Sequence, residues 1–281
     1  MQTILVTGGA GRIGSAVIAH ANEAGYRTVS VDRVRDRGNA NRFIEVDVTD
    51  AGEVYSAVAM AEPDAIVHLG AIPNAGSDPD HVVYESNTMG AYHVFAAAAA
   101  TGVETVCAAS SIQAMGTSVE EWVEYLPVDE DHPMVPRNPY ELGKEAVERL
   151  ADGFARREGS PTSLATFRFP HVQTDEEFKE WLPQELADLR SGTGRFLFGY
   201  CAIDDVAELV LTATTTDLDG HERFWVSGPD TRTTVPTEDL IEEFHPQATV
   251  TESLEENDPL INTAKATELL GWEPSISWRD W

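Results

Sequence analysis

The tightest constraint on what this chain can fold into is the run Thr7-Gly8-Gly9-Ala10-Gly11-Arg12-Ile13-Gly14, set between a β-branched segment, Thr3–Thr7, and a helical pattern beginning at Arg12. A strand that becomes a helix within a few residues needs glycine wherever the backbone bends sharply or approaches a neighbour. Gly8 and Gly11 supply the turn, and Gly14 lets helix and strand pack closely. The N–H groups at the helix start then point outward, where they favour an anion such as a pyrophosphate. A lone glycine-rich turn is a weak signal, but one framed by strand and helix points to a dinucleotide site built from Gly8, Gly11, Arg12, Ile13 and Gly14. Asp32 closes the second β-branched run about 20 residues downstream, where a carboxylate accepts hydrogen bonds from an adenosine ribose and repels a 2′-phosphate. That favours NAD. Arg33, Arg35 and Arg37 follow at once and leave NADP open, since an arginine there can cradle the 2′-phosphate.

Beyond this turn, short β-branched runs alternate with helical patterns, which is how a parallel sheet covered on both faces reads. Strands are expected at Thr3–Thr7, Thr28–Val31, Phe43–Val46, Ala65–Leu69, Thr105–Ala109 and Ser163–Phe169, and helices at Arg12–Ala24, Glu53–Ala61, Val82–Ala100 and Tyr140–Arg157. The fold class is therefore α/β, a doubly wound sheet of the Rossmann kind spanning 1–170. Later segments loosen: a helix at Asp175–Arg190, a turn at Ser191–Gly194, a helix at Val206–Thr214, a strand at Arg223–Ser227, and helices at Thr237–Phe244 and Thr263–Leu270. Residues near 201–228 are expected to return to the main sheet, while 171–200 and 229–281 form a small substrate-binding lobe closing a cleft over the strand ends.

Composition narrows the class of partner. Nineteen Lys+Arg against 48 Asp+Glu give a formal charge of -29, and the only lysines are Lys144, Lys179 and Lys265. Such self-repulsion is screened at molar salt, where the Debye length is ~3 Å, so the acidity reads as adaptation to a salt-rich cytoplasm. It also argues against nucleic acid, whose phosphates need a basic face. No run of about 18 apolar residues is present to span a bilayer, and the N-terminus carries no secretory pattern, so a cytoplasmic protein is expected. Cys107 and Cys201 lack metal or disulfide spacing, the histidines are scattered, and no metal site is predicted.

A second local pattern carries chemistry. In Asn138-Pro139-Tyr140-Glu141-Leu142-Gly143-Lys144 the asparagine caps a helix, proline suits its first position and Glu141 completes a capping box. Tyr140 and Lys144 then share one helix face. A phenol of ordinary pKa ~10 is a poor base near neutrality, and an ammonium close by stabilises its phenolate, so the pair can move a proton. Read alone, such a spacing is often a plain surface pair.

Taken with Asp32, Asp47-Val48, Leu69-Gly70-Ala71, Asn87, Ser110-Ser111 before Gly116, and the closing Leu270-Gly271-Trp272-Glu273-Pro274, these motifs make the chain resemble the extended short-chain dehydrogenase/reductase family of sugar epimerases, dehydratases and uronate dehydrogenases. The resemblance covers nearly the whole chain. It implies that Asp47 and Val48 flank the adenine, that Leu69, Gly70 and Ala71 line the cofactor near the nicotinamide ribose, and that Asn87 lies close by. It further implies that Ser111 holds the reacting oxygen, that Tyr140 exchanges its proton, and that Lys144 binds the ribose while tuning Tyr140. Phe169, Pro170 and Val172 would pass under the nicotinamide.

Where nucleotide-sugar members of the family carry a Tyr-Gly-Pro turn and a long insertion, this chain has His171-Val172-Gln173-Thr174, a charged helix and Ser191–Arg195. It resembles the compact uronate and sugar-acid dehydrogenases more closely, so oxidation of a free sugar, sugar phosphate or sugar acid by NAD is expected. Candidate substrate contacts are Ser111, Gln113, His171 and Arg195, with Arg137 as a further cation. An NAD-dependent nucleotide-sugar epimerase or dehydratase is the alternative, and a non-catalytic cofactor sensor the second. By the same resemblance a homodimer is expected through the Val82–Ala100 and Tyr140–Arg157 helices.

Overall fold

The computed structural model describes residues 1–35, 39–118, 122–159, 161–174, 176–180 and 196–280. Strand β1 (Thr3–Thr7) is buried at all five positions, as a β-branched run in the middle of a parallel sheet must be. It leads into α1 (Arg12–Glu23), β2 (Arg27–Asp32), β3 (Arg42–Glu45), α2 (Ala51–Ala61), β4 (Ala65–His68), α3 (Asp80–Thr101) and β5 (Thr105–Ala109). A short 3-10 turn at Ile112–Met115 and the two-residue β6 (Tyr125–Leu126) precede α4 (Pro139–Ala155) and β7 (Ser163–Arg168). After β8 (His171–Gln173) and β9 (Tyr200–Ala202) come α5 (Ile203–Thr215), β10 (Gly220–Trp225), α6 (Thr237–Phe244), β11 (Thr249–Val250) and α7 (Ala264–Leu270).

Seven strands form one sheet in the order β10-β7-β5-β4-β1-β2-β3, every pairing parallel. The order reverses between β1 and β4, so their C-terminal ends diverge and open the crevice where such sheets take ligands. Two apolar clusters cover the two faces, one joining Val17, Ile18 and Ala21 of α1 to Val206 and Val210 of α5, the other joining Val54, Val94, Phe95 and Val147 from α2, α3 and α4. The expected doubly wound sheet is therefore present, its ends shifted by a residue or two at most strands. Of the expected helix at Asp175–Arg190 only 176–180 falls among the described residues, and these are helical; the turn at Ser191–Gly194 lies outside them.

Four short strands that no periodicity announced make two small parallel pairs, β8 with β9 and β6 with β11. They bring Leu126 and Val128 together with Phe198, Trp225, Leu240 and Ile261 in a third apolar cluster. That cluster also takes in Ile112 and Met115 of the 3-10 turn, so the lobe draws on residues before 170 as well as after it. Both cysteines are buried; desolvation pushes the Cys107 thiol up to about 12, which leaves it inert. Among the described residues no helix is long and apolar enough to cross a membrane.

The C-terminal segment is tied back by one carboxylate. Asp205, fully enclosed in the first turn of α5, accepts the Ser275 N–H at 3.0 Å, the Ser275 hydroxyl at 2.8 Å and the Ile276 N–H at 3.0 Å. Its own carbonyl takes the Trp272 indole N–H at 3.1 Å. Replacing Asp205 with Ala strands two backbone donors, so Asp205→Ala is expected to lower unfolding free energy by about 3 kcal/mol. Denaturant unfolding in molar KCl measures this, and a loss under about 1 kcal/mol would show that the tie contributes little.

Candidate active site

The crevice at the strand ends is a cavity of about 670 Å³ whose floor is the β1–α1 turn, with Gly8, Gly11 and Gly14 on its wall. Gly8 has φ +67°, and a Cβ there would sit 2.7 Å from the Gly70 nitrogen; one on Gly11 would sit 3.1 Å from the Gly8 carbonyl oxygen. A side chain does not fit at Gly8 and is crowded at Gly11, so the backbone itself forms the surface. The Thr7 hydroxyl accepts Gly70 N–H at 3.2 Å and meets His68 Nδ1 at 2.8 Å, fixing the end of β4 beside the turn. Burial, with the Lys144 charge nearby, pushes the enclosed His68 imidazole down to about 3 and keeps it neutral.

Helix α4 begins as its sequence dictates. Asn138 Oδ1 accepts from Tyr140 N–H at 3.0 Å and Glu141 N–H at 2.9 Å, while Glu141 reaches back to Asn138 N–H at 3.3 Å. Tyr140 and Lys144 thereby project into the cavity, where Ser111 also lies. The Ser111 side chain stands near enough to the Tyr140 phenol to favour its ionised form, and its hydroxyl accepts from the Gln113 N–H at 3.1 Å. Lys144 Nζ donates to the Ala109 carbonyl at 2.9 Å and stands 5.7 Å from the centre of the Tyr140 ring. Desolvation lowers the ammonium to about 8. For Tyr140, burial raises the phenol above its ordinary value and the Ser111 hydrogen bond only partly opposes it. The expected lowering of Tyr140 by Lys144 does not appear: burial sets the direction, while the ammonium is hydrogen-bonded to the Ala109 carbonyl.

Among the other expected cofactor contacts, Arg12, Ile13, Leu69, Ala71, Phe169, Pro170 and Val172 line the cavity. Arg12 also bonds the Val172 carbonyl at 2.8 Å and pairs with Glu177 at 2.7 Å, pulling β8 towards the glycine turn. Gly70, Asp32, Arg33, Asp47, Val48 and Asn87 are set back from it. Asp32 accepts the Ala10 and Val34 N–H groups, each at 3.1 Å; Arg33 lies 3.8 Å from Asp47 on the surface. Val48 gives its carbonyl to His93 at 3.0 Å and packs near Gly70. Asn87 is a loop anchor: it holds both backbone groups of Ile72, at 2.8 and 3.0 Å, and so fixes the segment carrying Pro73 and Asn74 on the cavity wall.

On the lobe side, Gln113 and His171 reach the cavity as expected. Arg195 lies outside the described residues, and Arg37 does too. Arg137 is exposed and off the cavity, its N–H spent on Glu141 at 2.9 Å. The arginine that lines the cavity from the lobe side, opposite Arg12, is Arg232, nearly enclosed and 3.4 Å from His171 Nδ1. Burial, with the charges of Arg232 and Arg12, pushes His171 down to about 4, so it accepts as a neutral imidazole. Nothing local distinguishes Arg232 in the sequence, since it sits in a Thr-rich loop after a strand. Asn74 and Phe196 were likewise without a signal.

A parallel sheet with a glycine-rich βα turn and a Tyr–Lys pair over its crevice defines a dinucleotide-binding protein equipped for proton transfer. The model of the NAD dependent epimerase/dehydratase family matches residues 4–226, and the chain belongs to that family. Over 161 residues it is 34% identical to a UDP-glucose 4-epimerase of Rhizobium leguminosarum bv. trifolii, covering 54% of this chain and 47% of that one. A UDP-glucose 4-epimerase of Rhizobium meliloti aligns with 97% of this chain and 92% of its own at 26% identity. The chain spans about half the length of the other first curated relatives it matches. Among solved structures, a short-chain dehydrogenase/reductase superfamily protein of Agrobacterium tumefaciens with bound NAD is similar at TM-score 0.74, 20% identity and 99% and 94% coverage. The Thermotoga maritima UDP-glucose 4-epimerase with UDP-glucose is similar at 0.72, 22%, and 98% and 94%. At those identities the likeness is one of fold.

The displaced Lys144 has a consequence for stability. Its folded value of about 8 lies below the ordinary 10.5, so between those limits the unfolded chain binds a proton the folded protein has released, and stability rises with pH. Between pH 8 and 10 the wild type is expected to gain about 2 kcal/mol relative to Lys144→Met. Parallel pH–stability curves for the two proteins would place Lys144 back at an ordinary value.

Proposed function

We propose that this chain carries out NAD-dependent redox chemistry at a hydroxyl-bearing carbon of a sugar nucleotide, with an epimerase or dehydratase outcome. The observation that carries this is the meeting of Ser111, Tyr140 and Lys144 in one cavity floored by the glycine turn. The sugar nucleotide is supported by family membership and by the names of the relatives. The shortened segment after β7 argues for a smaller substrate, and the kinship outweighs it.

The residues fit a dinucleotide. Backbone at Gly8, Gly11 and Gly14 leaves room that a Cβ would fill, and Arg12 and Ile13 open α1 beside it. Asp32 would hold the adenosine ribose; Asp47, Val48 and Arg33 would border the adenine; Leu69, Gly70, Ala71, Phe169, Pro170 and Val172 would line the remainder, with Asn87 acting through Ile72. When bound, NAD supplies the acceptor and donor of hydride. The chain's own residues handle the proton: Ser111 orients the sugar hydroxyl and favours the Tyr140 phenolate, Tyr140 takes the proton, and Lys144, 5.7 Å from the Tyr140 ring, would hold the nicotinamide ribose. Gln113 and His171 would contact the sugar, and Arg232 would meet the phosphates through charge-assisted hydrogen bonds. Exposed Tyr84, Met89 and Tyr92 on α3 and Leu142 on α4 support a homodimer across those helices, and the charge of -29 supports work in a salt-rich cytoplasm.

A second reading, net oxidation of a free sugar acid, is favoured by the short segment after β7. The two separate in one assay in molar KCl with NAD, UDP-sugars and free uronic acids. Epimer or dehydrated product without net NADH is expected, with kcat lowered about 10²–10⁴-fold in Tyr140→Phe. Net NADH from a uronic acid, with every UDP-sugar returned unchanged, would establish the second reading instead. Arg232→Gln is expected to raise KM for the sugar nucleotide about tenfold or more while leaving that for NAD within about twofold; equal effects on both would remove Arg232 from the phosphate site.

A further inference from the structure

Three consecutive residues at the end of β5 meet three consecutive turns of α4. The Ala109 carbonyl accepts from Lys144 Nζ at 2.9 Å, the Ser110 hydroxyl donates to Glu148 Oε1 at 2.6 Å, and the Ser111 side chain faces the Tyr140 phenol across the same cavity wall. Tyr140, Lys144 and Glu148 recur every four residues and so form one stripe on the helix. Two of these contacts belong to the proposed proton-transfer group. The Ser110–Glu148 contact does not, yet at 2.6 Å it is shorter than the Lys144–Ala109 bond, and both its partners are buried.

Charge balance does not require the Ser110 contact. Glu148 already receives Arg168 Nε at 3.0 Å on Oε1, and Arg168 Nη2 at 2.9 Å and Arg223 Nε at 3.1 Å on Oε2. What the contact does is fasten the peptide between Ala109 and Ser111 to a helix position that the two guanidiniums hold still. Arg168 is the last residue of β7, directly before Phe169 and Pro170 on the cavity wall, so the same carboxylate registers α4, β5 and β7 against each other.

We propose that Ser110 and Glu148 are a positioning pair, which sets the Ser111 hydroxyl and the Lys144 ammonium in register with the Tyr140 phenol. The inference rests on the redox reading above. Glu148 lies off the cavity, and Ser110, although on its wall, spends its hydroxyl on Glu148. A displacement of the strand end by about 1 Å costs on the order of 10²-fold in rate while leaving binding intact.

Ser110→Ala removes the tether and keeps both guanidiniums on Glu148. Its kcat is expected to fall about 10- to 100-fold, with KM for NAD and for the sugar nucleotide within about twofold, and Ser110→Thr, which keeps the hydroxyl, is expected to recover most of the rate. A second measurement needs no turnover: the pH titration of the Tyr140 phenol by difference absorbance against Tyr140→Phe. The groups facing that phenol are the Ser111 hydroxyl and the Lys144 ammonium, and a misplaced Ser111 moves its titration to higher pH in Ser110→Ala. A folded Ser110→Ala with wild-type kcat and an unmoved Tyr140 titration would overturn the proposal, as would equal impairment of the Ala and Thr variants. If the wild type turns over no sugar, the redox reading fails, and the titration still decides whether the pair positions Tyr140.

Discussion

The carboxylate of Glu148 sits under the sheet edge with 1% of its surface exposed, and a lone ion there would cost several kcal/mol in lost hydration. Arg168, equally enclosed, forks onto it, and Arg223 adds a third donor before pairing with Asp152. Two acids and two guanidiniums make a neutral set. Burial pushes the Glu148 carboxyl up, but hydrogen bonds and charge from Arg168, helped by Ser110 and Arg223, outweigh it and hold the group below its ordinary value. The arrangement adds little net stability, since an apolar replacement of the whole set would pack as well. Its effect is geometric: each partner comes from a different element, so α4 cannot slide along β5, β7 and β10 without separating buried charges. The cavity wall inherits that fixity.

The parts of this protein that show in its sequence are the parts written in contiguous residues. The β1–α1 turn is legible because glycine is required wherever backbone meets backbone, as at Gly8 against Gly70. The start of α4 is legible because Asn138, Pro139 and Glu141 each do one standard job at a helix end, and Tyr140 and Lys144 follow by periodicity. Asn87 shows the limit. Its enclosure near the site is implied by resemblance, but its partner, the backbone of Ile72, is set by how α3 crosses the loop after β4. Asp205 reads as an acidic residue at a helix start, which it is; that it also holds Ser275 and Ile276 depends on where the chain returns 70 residues later.

Arg232 is the sharper case, because its surroundings have no local pattern at all. Its loop is set by Arg279, whose guanidinium donates to the Thr231 carbonyl at 2.8 Å and also to the Thr233 carbonyl, with Asp230 2.7 Å away. Asp230 in turn accepts from Tyr200 and from Ser277 at 2.6 Å. Two segments distant in sequence, at Tyr200 and at Ser277–Arg279, must therefore be in place before the arginine reaches the cavity. Charge counting pointed away from it too: with 48 acids against 19 bases, most arginines are expected to serve as partners for carboxylates. Arg12, Arg149, Arg168 and Arg223 do so.

The two sides of the cavity differ in how they are built, and this bears on how its chemistry can vary. The side formed by the glycine turn, the β4 and β5 ends and the start of α4 is held by backbone-to-backbone approach and by buried hydrogen bonds, so few substitutions there leave the shape intact. The opposite side takes single residues from β8, the segment before β9 and the loop after β10, as His171, Phe196 and Arg232. Each stands on a separate piece of chain; Phe196 also packs against the apolar cluster under the lobe, with Phe198, Trp225 and Leu260, whereas His171 and Arg232 are not part of that cluster. In the proposed reading, a change at His171 or Arg232 bears on substrate contacts and leaves in place the hydrogen bonds at Asn138 and Ala109 that set Tyr140 and Lys144. The proposed recognition and proton-transfer residues thus stand on differently built sides of the cavity, which is why the contiguous motifs of one side read clearly in the sequence and the scattered residues of the other do not.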